Sequence, residues 1–328
     1  MIYPKFIKDN SMIGVVAPSD GIVKTSDIEK LDKAIDSLSK LGFSVVEAPS
    51  VRKSVMGRSA SPRVRAKELE DMFKNKEVST VICGTGGNFL LEMLPYLDYE
   101  VIRNNPKWFQ GYSDPTWLIY TITTNLDIAT IYSNNFKAFS MEKFPLAVSN
   151  NLEILKGNLI TQESFAKCED RESNELNDVY YDIITGEDEL FLKGRMLGGC
   201  LDVINELFGT RFDKTKEFIN KYKDDGIIWY LENCMLTMED MIRVLWRLKD
   251  NGYFKYTKGI IFGRSLTEES YFKVSFKDTV LEVLKDLNVP IVINADIGHV
   301  APRVTIINGA IGKIKVSRGK ALIDFELK

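Results

Sequence analysis

Apolar and polar positions along this chain fall into blocks that predict strands and helices in alternation. Ser11-Met12-Ile13-Gly14-Val15-Val16-Ala17-Pro18-Ser19 opens with a continuous apolar run, as in a strand buried on both faces, and ends in a Pro/Ser/Asp/Gly loop. Ile28, Leu31, Ala34, Ile35 and Leu38 recur at helical spacing, and Gly42 closes that helix. A strand at Phe43–Ala48, a helix from Ser61 to about Asn75 and a strand at Ser79–Cys83 follow. The last of these ends in the turn Gly84-Thr85-Gly86-Gly87-Asn88, and a helical segment begins near Leu90. Lys107–Gly111 then predicts a short buried strand that turns directly into a helix through Tyr112-Ser113-Asp114-Pro115. Asp114 is expected as its N-cap, Pro115 as the first helical position, and Leu118, Ile119 and Ile122 as its apolar face. With a strand at Ile128–Tyr132, the alternation implies a parallel sheet covered by helices, with ligands at the carboxyl ends of its strands.

From Pro145 to about Phe191 the pattern weakens, and Glu169–Asp178 is strongly polar. Residues 151–190 are therefore expected to form a linker or exposed loop region, and a lid is one use for it. Regularity returns with a strand at Gly194–Cys200, a helix through Leu207, and a strong strand at Gly226–Leu231 that stops at Glu232-Asn233. Thr237 caps an amphipathic helix, strands follow at Gly259–Arg264 and Pro290–Asn294, and a helix lies between them around Val280–Leu287. The tail predicts short antiparallel strands at Val304–Asn308, Lys313–Val316 and Ala321–Phe325. The fold class is thus α/β: a parallel-sheet domain over 1–150 and a smaller mixed α/β domain over 191–328 with extra β structure at its end.

Composition narrows the function classes. A net charge of −3 with both signs dispersed offers no nucleic-acid or anionic-membrane surface. The first residues lack a signal-peptide pattern, and no apolar run approaches the roughly 20 residues of a membrane span. Cys83, Cys168, Cys200 and Cys234 are widely separated without C-x-x-C, as expected of reduced thiols in a cytoplasmic protein. The chain has a single histidine, His299, so any chemistry that needs imidazole must use it, and a multi-histidine metal centre is excluded.

Three polar residues stand just beyond buried strands: Ser113, Glu232 and His299. Each has an ordinary reading, as a turn residue, a helix cap or ion-pair partner, and a surface loop histidine respectively. Together they make the set that serine nucleophiles need: an imidazole to take the proton and a carboxylate to fix its tautomer. Backbone N–H groups at Gly86 and Gly87, with that of Asp114, could hold an oxyanion. The glycine turn lacks the Lys-Ser/Thr of a phosphate loop and the G-x-G-x-x-G of dinucleotide folds.

These segments resemble the serine peptidase family of the LD-carboxypeptidases and microcin C immunity peptidases. The resemblance is carried by Gly14–Ser19, Gly86-Gly87-Asn88 with Leu94–Tyr99, Asn105-Pro106-Lys107, and Gly111–Thr116. Later matching segments are Gly194-Arg195, Gly198-Gly199, Leu231-Glu232-Asn233 and Gly298–Pro302. It implies a Rossmann-like first domain carrying Ser113, a second domain carrying Glu232 and His299, an active site in the cleft between them, and a homodimer. It also implies hydrolysis of the L,D-amide to a terminal D-alanine in murein peptides, without a cofactor or metal. An aminoacyl- or peptidyl-nucleotide substrate is the alternative. The glycine motif here reads Gly-Thr-Gly-Gly-Asn-Phe, and Arg303–Asn308 replaces the family's usual segment after the histidine, so the substrate is the open point. A carboxypeptidase needs a cation for the substrate carboxylate: Arg195, Arg264 and Arg303 are candidates, with Asn88 as a further substrate contact. Two other readings are a non-catalytic peptide-binding protein and a cysteine hydrolase built on Cys83 or Cys234.

Overall fold

The computed structural model of the chain describes residues 1–170, 173 and 175–328. In chain order the elements of the first part are β1 (Met12–Val16), α1 (Thr25–Lys40), β2 (Ser44–Glu47), α2 (Pro62–Lys74) and β3 (Val78–Cys83). They continue with α3 (Tyr99–Asn104), β4 (Trp108–Gly111), α4 (Thr116–Leu126), β5 (Thr130–Tyr132) and α5 (Leu146–Leu155). The second part has β6 (Gln162–Glu163), β7 (Lys167–Glu169), β8 (Leu176–Asp178), β9 (Asp182–Ile183), β10 (Glu189–Cys200), α6 (Leu201–Leu207) and α7 (Thr215–Lys221). After these come β11 (Ile227–Glu232), α8 (Met238–Asp250), β12 (Thr257–Gly263), α9 (Phe276–Leu284) and β13 (Ile291–Ala295). The chain closes with β14 (Ile306–Asn308), β15 (Ile311–Ser317) and β16 (Lys320–Glu326).

Two compact units emerge: residues 1–160 with 305–307, and residues 161–304 with 308–328. The first is built on a six-stranded sheet in the order β14-β5-β4-β3-β1-β2, and β1 to β5 pair in parallel as the apolar runs imply. Val15, Val81, Ile82, Trp108 and Phe109 are fully buried in it, which is why these strands read as unbroken apolar blocks. The second unit holds an eight-stranded sheet in the order β6-β16-β15-β10-β11-β12-β13-β9. Its middle strands β10 to β13 are parallel, and β15, β16, β6 and β9 flank them antiparallel.

Two departures from the sequence pattern are informative. The tail segment expected to add β structure to the second domain splits, and β14 lies beside β5 in the first unit's sheet. There Ile306 and Ile307 are fully buried and the Thr305 hydroxyl bonds that of Ser133 at 2.8 Å. Strand propensity marks the segment as β but carries no information about which sheet receives it. The stretch expected as linker, 151–190, contains the second half of α5, the hairpin β7–β8 and the edge strand β9. Four of the hairpin's six strand residues are charged or amide-bearing and Cys168 alone of the six is buried, so backbone pairing does most to hold the strands together; Arg171, Glu172 and Asn174 within the polar run lie outside the described residues. Among the described residues no helix is long and apolar enough to cross a membrane.

One buried polar contact fixes the strand that matters most below. Gln110 on β4 and Asn151 on α5 are both fully buried and exchange two amide hydrogen bonds of 2.9 Å, while Gln110 also donates to the Asn134 carbonyl at 2.8 Å. Removing one amide strands the other, so Asn151→Leu should cost about 2 kcal/mol. Gln110→Leu with Asn151→Leu should cost less than the two single losses added together, as measured by urea unfolding.

Candidate active site

In the first unit the chain turns sharply where β4 ends. A Cβ on Gly111 would lie 2.8 Å from Pro115 Cβ and 3.2 Å from Cys83 Cβ, so only glycine fits that corner. Two residues later Ser113 adopts φ of 69°, the left-handed region that a side-chain-bearing residue enters only under constraint. The constraint is visible: the Ser113 carbonyl accepts the Thr116 N–H at 2.8 Å and the Thr116 hydroxyl at 2.6 Å. Ser113 is therefore raised on an elbow one turn ahead of α4, the conformation in which serine nucleophiles of α/β folds are presented.

The cap expected at Asp114 is not formed. Pro115 is the residue that precedes the helix, and no side chain caps it. Asp114, 4% exposed, instead turns its carboxylate to the Ser19 hydroxyl and to the Leu90 N–H at 2.9 Å. Burial raises its pKa, opposed by the bonds from Ser19 and Leu90 and the charge of Arg65. The glycine turn after β3 lies close by: a Cβ on Gly86 would come within 3.2 Å of Ser113 Cβ and Oγ, and one on Gly87 within 2.2 Å of Ser19 Oγ. Asn88 is exposed at the tip of this turn. Cys83 is fully buried beneath, with its thiol pKa pushed well up by burial and by the Asp114 charge, which disfavours a thiolate there.

In the second unit Glu232 ends β11 with no exposed surface, and its carboxylate Oε2 lies 2.9 Å from Nδ1 of His299. Two glycines make room for it. A Cβ on Gly298, where φ is 97°, would fall 2.6 Å from Glu232 Cγ and Oε2, and one on Gly263 would fall 3.1 Å from Glu232 Cβ. Burial lowers the imidazole's pKa, but the Glu232 charge and hydrogen bonds to Cys234 and Glu232 outweigh it and raise it to about 11. This environment stabilises the charge that the ring gains on accepting a proton, and Nδ1 is the nitrogen that faces Glu232. Cys234 thus stands beside the imidazole, and its own N–H is held by Asp202 at 3.1 Å.

The candidate cations are placed differently from one another. Arg195 is buried, pairs with Asp225, donates to the Gly309 carbonyl and stacks over Tyr222. Arg264 is buried, pairs with Asp296 and donates to the Val300 and Pro302 carbonyls, so it braces the histidine loop from behind. Arg303 lies on that loop and donates to the Gly298 carbonyl at 2.7 Å and the His299 carbonyl at 3.4 Å. Asp296 completes the brace: fully buried, it also accepts the Phe165 N–H at 2.9 Å. The roles of Asp296, Asp202, Ser19 and Arg65 were not legible in the sequence, because each works through a partner tens of residues away. Asp296, three residues before the lone histidine, was the one with a local hint.

Comparison with known proteins identifies the family. Residues 13–133 match the LD-carboxypeptidase N-terminal domain and residues 193–314 the LD-carboxypeptidase C-terminal domain of peptidase family S66. A Bacillus subtilis (strain 168) relative named "Probable murein peptide carboxypeptidase" is 23% identical, over 98% of this chain and 94% of its own. The Escherichia coli microcin C7 self-immunity protein MccF is 25% identical, over 90% of this chain and 86% of its own. The crystal structure of an MccF-like protein from Bacillus anthracis str. Ames superposes with a TM-score of 0.84 at 27% identity, covering 100% of both chains. With both domain models matched across most of its length, the chain belongs to the LD-carboxypeptidase family, peptidase S66.

Proposed function

We propose that this chain is a serine carboxypeptidase that cleaves the L,D-amide to a terminal D-alanine in murein peptides through an acyl-enzyme on Ser113. The observation that carries the reading is the Glu232–His299 pair: the chain's sole imidazole is held at 2.9 Å by a carboxylate with no exposed surface. The strained elbow at Ser113 supports it. So do the membership in a peptidase family and the relative named for murein peptides.

The reading requires Ser113 Oγ and His299 Nε2 to meet when substrate is bound. Ser113 attacks the amide carbonyl carbon while His299 takes the hydroxyl proton, and Glu232 stabilises the imidazolium that forms. Negative charge on the former carbonyl oxygen is received by N–H groups of Gly86, Gly87 and Asp114. His299 then gives its proton to the departing amine of D-alanine. A water, deprotonated by the same imidazole, opens the acyl-enzyme and frees Ser113. We assign the substrate carboxylate to Arg303, which the Gly298 and His299 carbonyls hold in the same loop as the imidazole.

A second reading keeps the chemistry and exchanges the substrate for an aminoacyl-nucleotide. It is favoured by the likeness to MccF, whose solved complexes include one with aspartyl sulfamoyl adenosine. Release of D-alanine from a muropeptide tetrapeptide at a kcat/KM at least ~100-fold above hydrolysis of aspartyl sulfamoyl adenosine is the expected outcome, and the reverse order favours the second reading.

Ser113→Ala should lower kcat by ~10³-fold or more and abolish labelling by a fluorophosphonate. Wild-type protein that binds muropeptide but takes no label would instead fit a non-catalytic binding protein. Glu232→Gln removes the anion that raises the His299 pKa, so that pKa should fall. A base accepts a proton only when neutral, so activity is lost as pH drops through its pKa. The acid limb of the kcat/KM profile should therefore move to lower pH in Glu232→Gln, with kcat reduced ~100-fold or more. An unmoved limb would detach Glu232 from the base.

A further inference from the structure

Three loops leave the carboxyl ends of β1, β3 and β4, and a single carboxylate oxygen ties them together. Oδ2 of Asp114, on the elbow, accepts both the Ser19 hydroxyl from the β1 loop and the Leu90 N–H from the end of the glycine turn. The Ser19 oxygen accepts the Phe89 N–H in turn at 3.4 Å, and the Asp20 N–H donates to the Gly86 carbonyl at 3.3 Å. From the far side, buried Arg65 donates to the Pro18 carbonyl at 2.9 Å and the Phe89 carbonyl at 3.0 Å, clamping the same two loops. Asp114, Ser19 and Arg65 are each at most 4% exposed. The glycine turn has no regular structure of its own: 84–89 forms neither helix nor strand, so its shape depends on these bonds.

We propose that the Asp114 side chain is a positioning residue that holds the 86–90 turn against Ser113, aiming the turn's N–H groups at the oxygen that becomes negative during attack. This rests on the reading of Ser113 as nucleophile and adds to it a side-chain role for a residue whose backbone N–H alone was expected to take part. The physical argument is preorganisation. Donors that stabilise a developing oxyanion are effective only if they need not move when the charge forms, and an untethered glycine turn would have to. Gly86 and Gly87 cannot be stiffened by side chains of their own, because a Cβ on either would crowd Ser113 or Ser19. The stiffness is supplied from outside, by a buried acceptor.

Both bonds land on one oxygen, which separates position from charge. Asparagine offers the same oxygen as a neutral acceptor, and alanine offers none. Asp114→Ala should lower kcat ~100-fold with KM within ~3-fold, the signature of an interaction made in the transition state. It should also speed amide hydrogen exchange at Phe89 and Leu90 by ~10-fold or more. Asp114→Asn should restore kcat to within ~5-fold of wild type and restore the exchange protection. Asp114→Asn as impaired as Asp114→Ala would overturn the proposal in favour of a role for the charge. Unchanged exchange at Phe89 and Leu90 in Asp114→Ala would overturn the tether itself, whatever the activity. Failure of the nucleophile reading shows separately, as wild-type protein that no fluorophosphonate labels.

Discussion

Keeping a carboxylate charged with no access to water is the constraint from which the second unit's site follows. An isolated buried carboxylate costs several kcal/mol, and in such surroundings it neutralises unless a partner holds it. Glu232 has that partner in the only imidazole of the chain, at 2.9 Å. The pairing in turn dictates the backbone around it. The histidine loop must close directly over the carboxylate, and Gly298 and Gly263 are the residues whose missing side chains let it. A loop drawn in so tightly needs support from beneath, which the buried pair Arg264–Asp296 and the carbonyls held by Arg264 and Arg303 provide. One electrostatic requirement thus explains two glycines, two arginines and an aspartate.

The first unit solves a different problem by different means. Its nucleophile candidate is presented by strain, not by charge pairing. A left-handed serine costs on the order of 1 kcal/mol or more and survives because its carbonyl is held twice by Thr116 and because no side chain intrudes at Gly111 or Gly86. The stability for this comes from a densely buried parallel sheet and from polar contacts such as Gln110 with Asn151, which anchor the strand that feeds the elbow. Site geometry in each unit is therefore a consequence of what lies behind it.

The arginines show why substrate preference is harder to read than reaction type. Three guanidinium groups are equivalent as letters in a chain, yet each is bound into the fold by different partners. Arg195 closes a contact between β10 and the segment beyond β14, and Arg264 a contact between β12 and the histidine loop. Relatives of this chain carry both a murein and a microcin name. The candidate reactive groups stand at or just beyond strand ends, where local pattern marks them, whereas the partners of Arg195 and Arg264 lie tens of residues away.

Local pattern alone determined the alternation of strands and helices, the parallel sheet of the first half, the helix capped by Thr237, and the three polar residues beyond strand ends. These are legible because burial on two faces leaves unbroken apolar runs, and because a lone histidine and a serine before a helix stand out by type and place. Only the tertiary structure decided where the partners went. It sent β14 to the first unit's sheet, turned Asp114 away from its helix toward Ser19 and Leu90, and gave Arg264 to Asp296. It also revealed the left-handed backbone of Ser113 and the glycine cradle of Glu232. The physical reason is common to all of them. Periodicity and capping act over a few residues and are written in their order, whereas a hydrogen bond or ion pair between distant segments depends on where the folded sheets bring them, which no local stretch of sequence encodes.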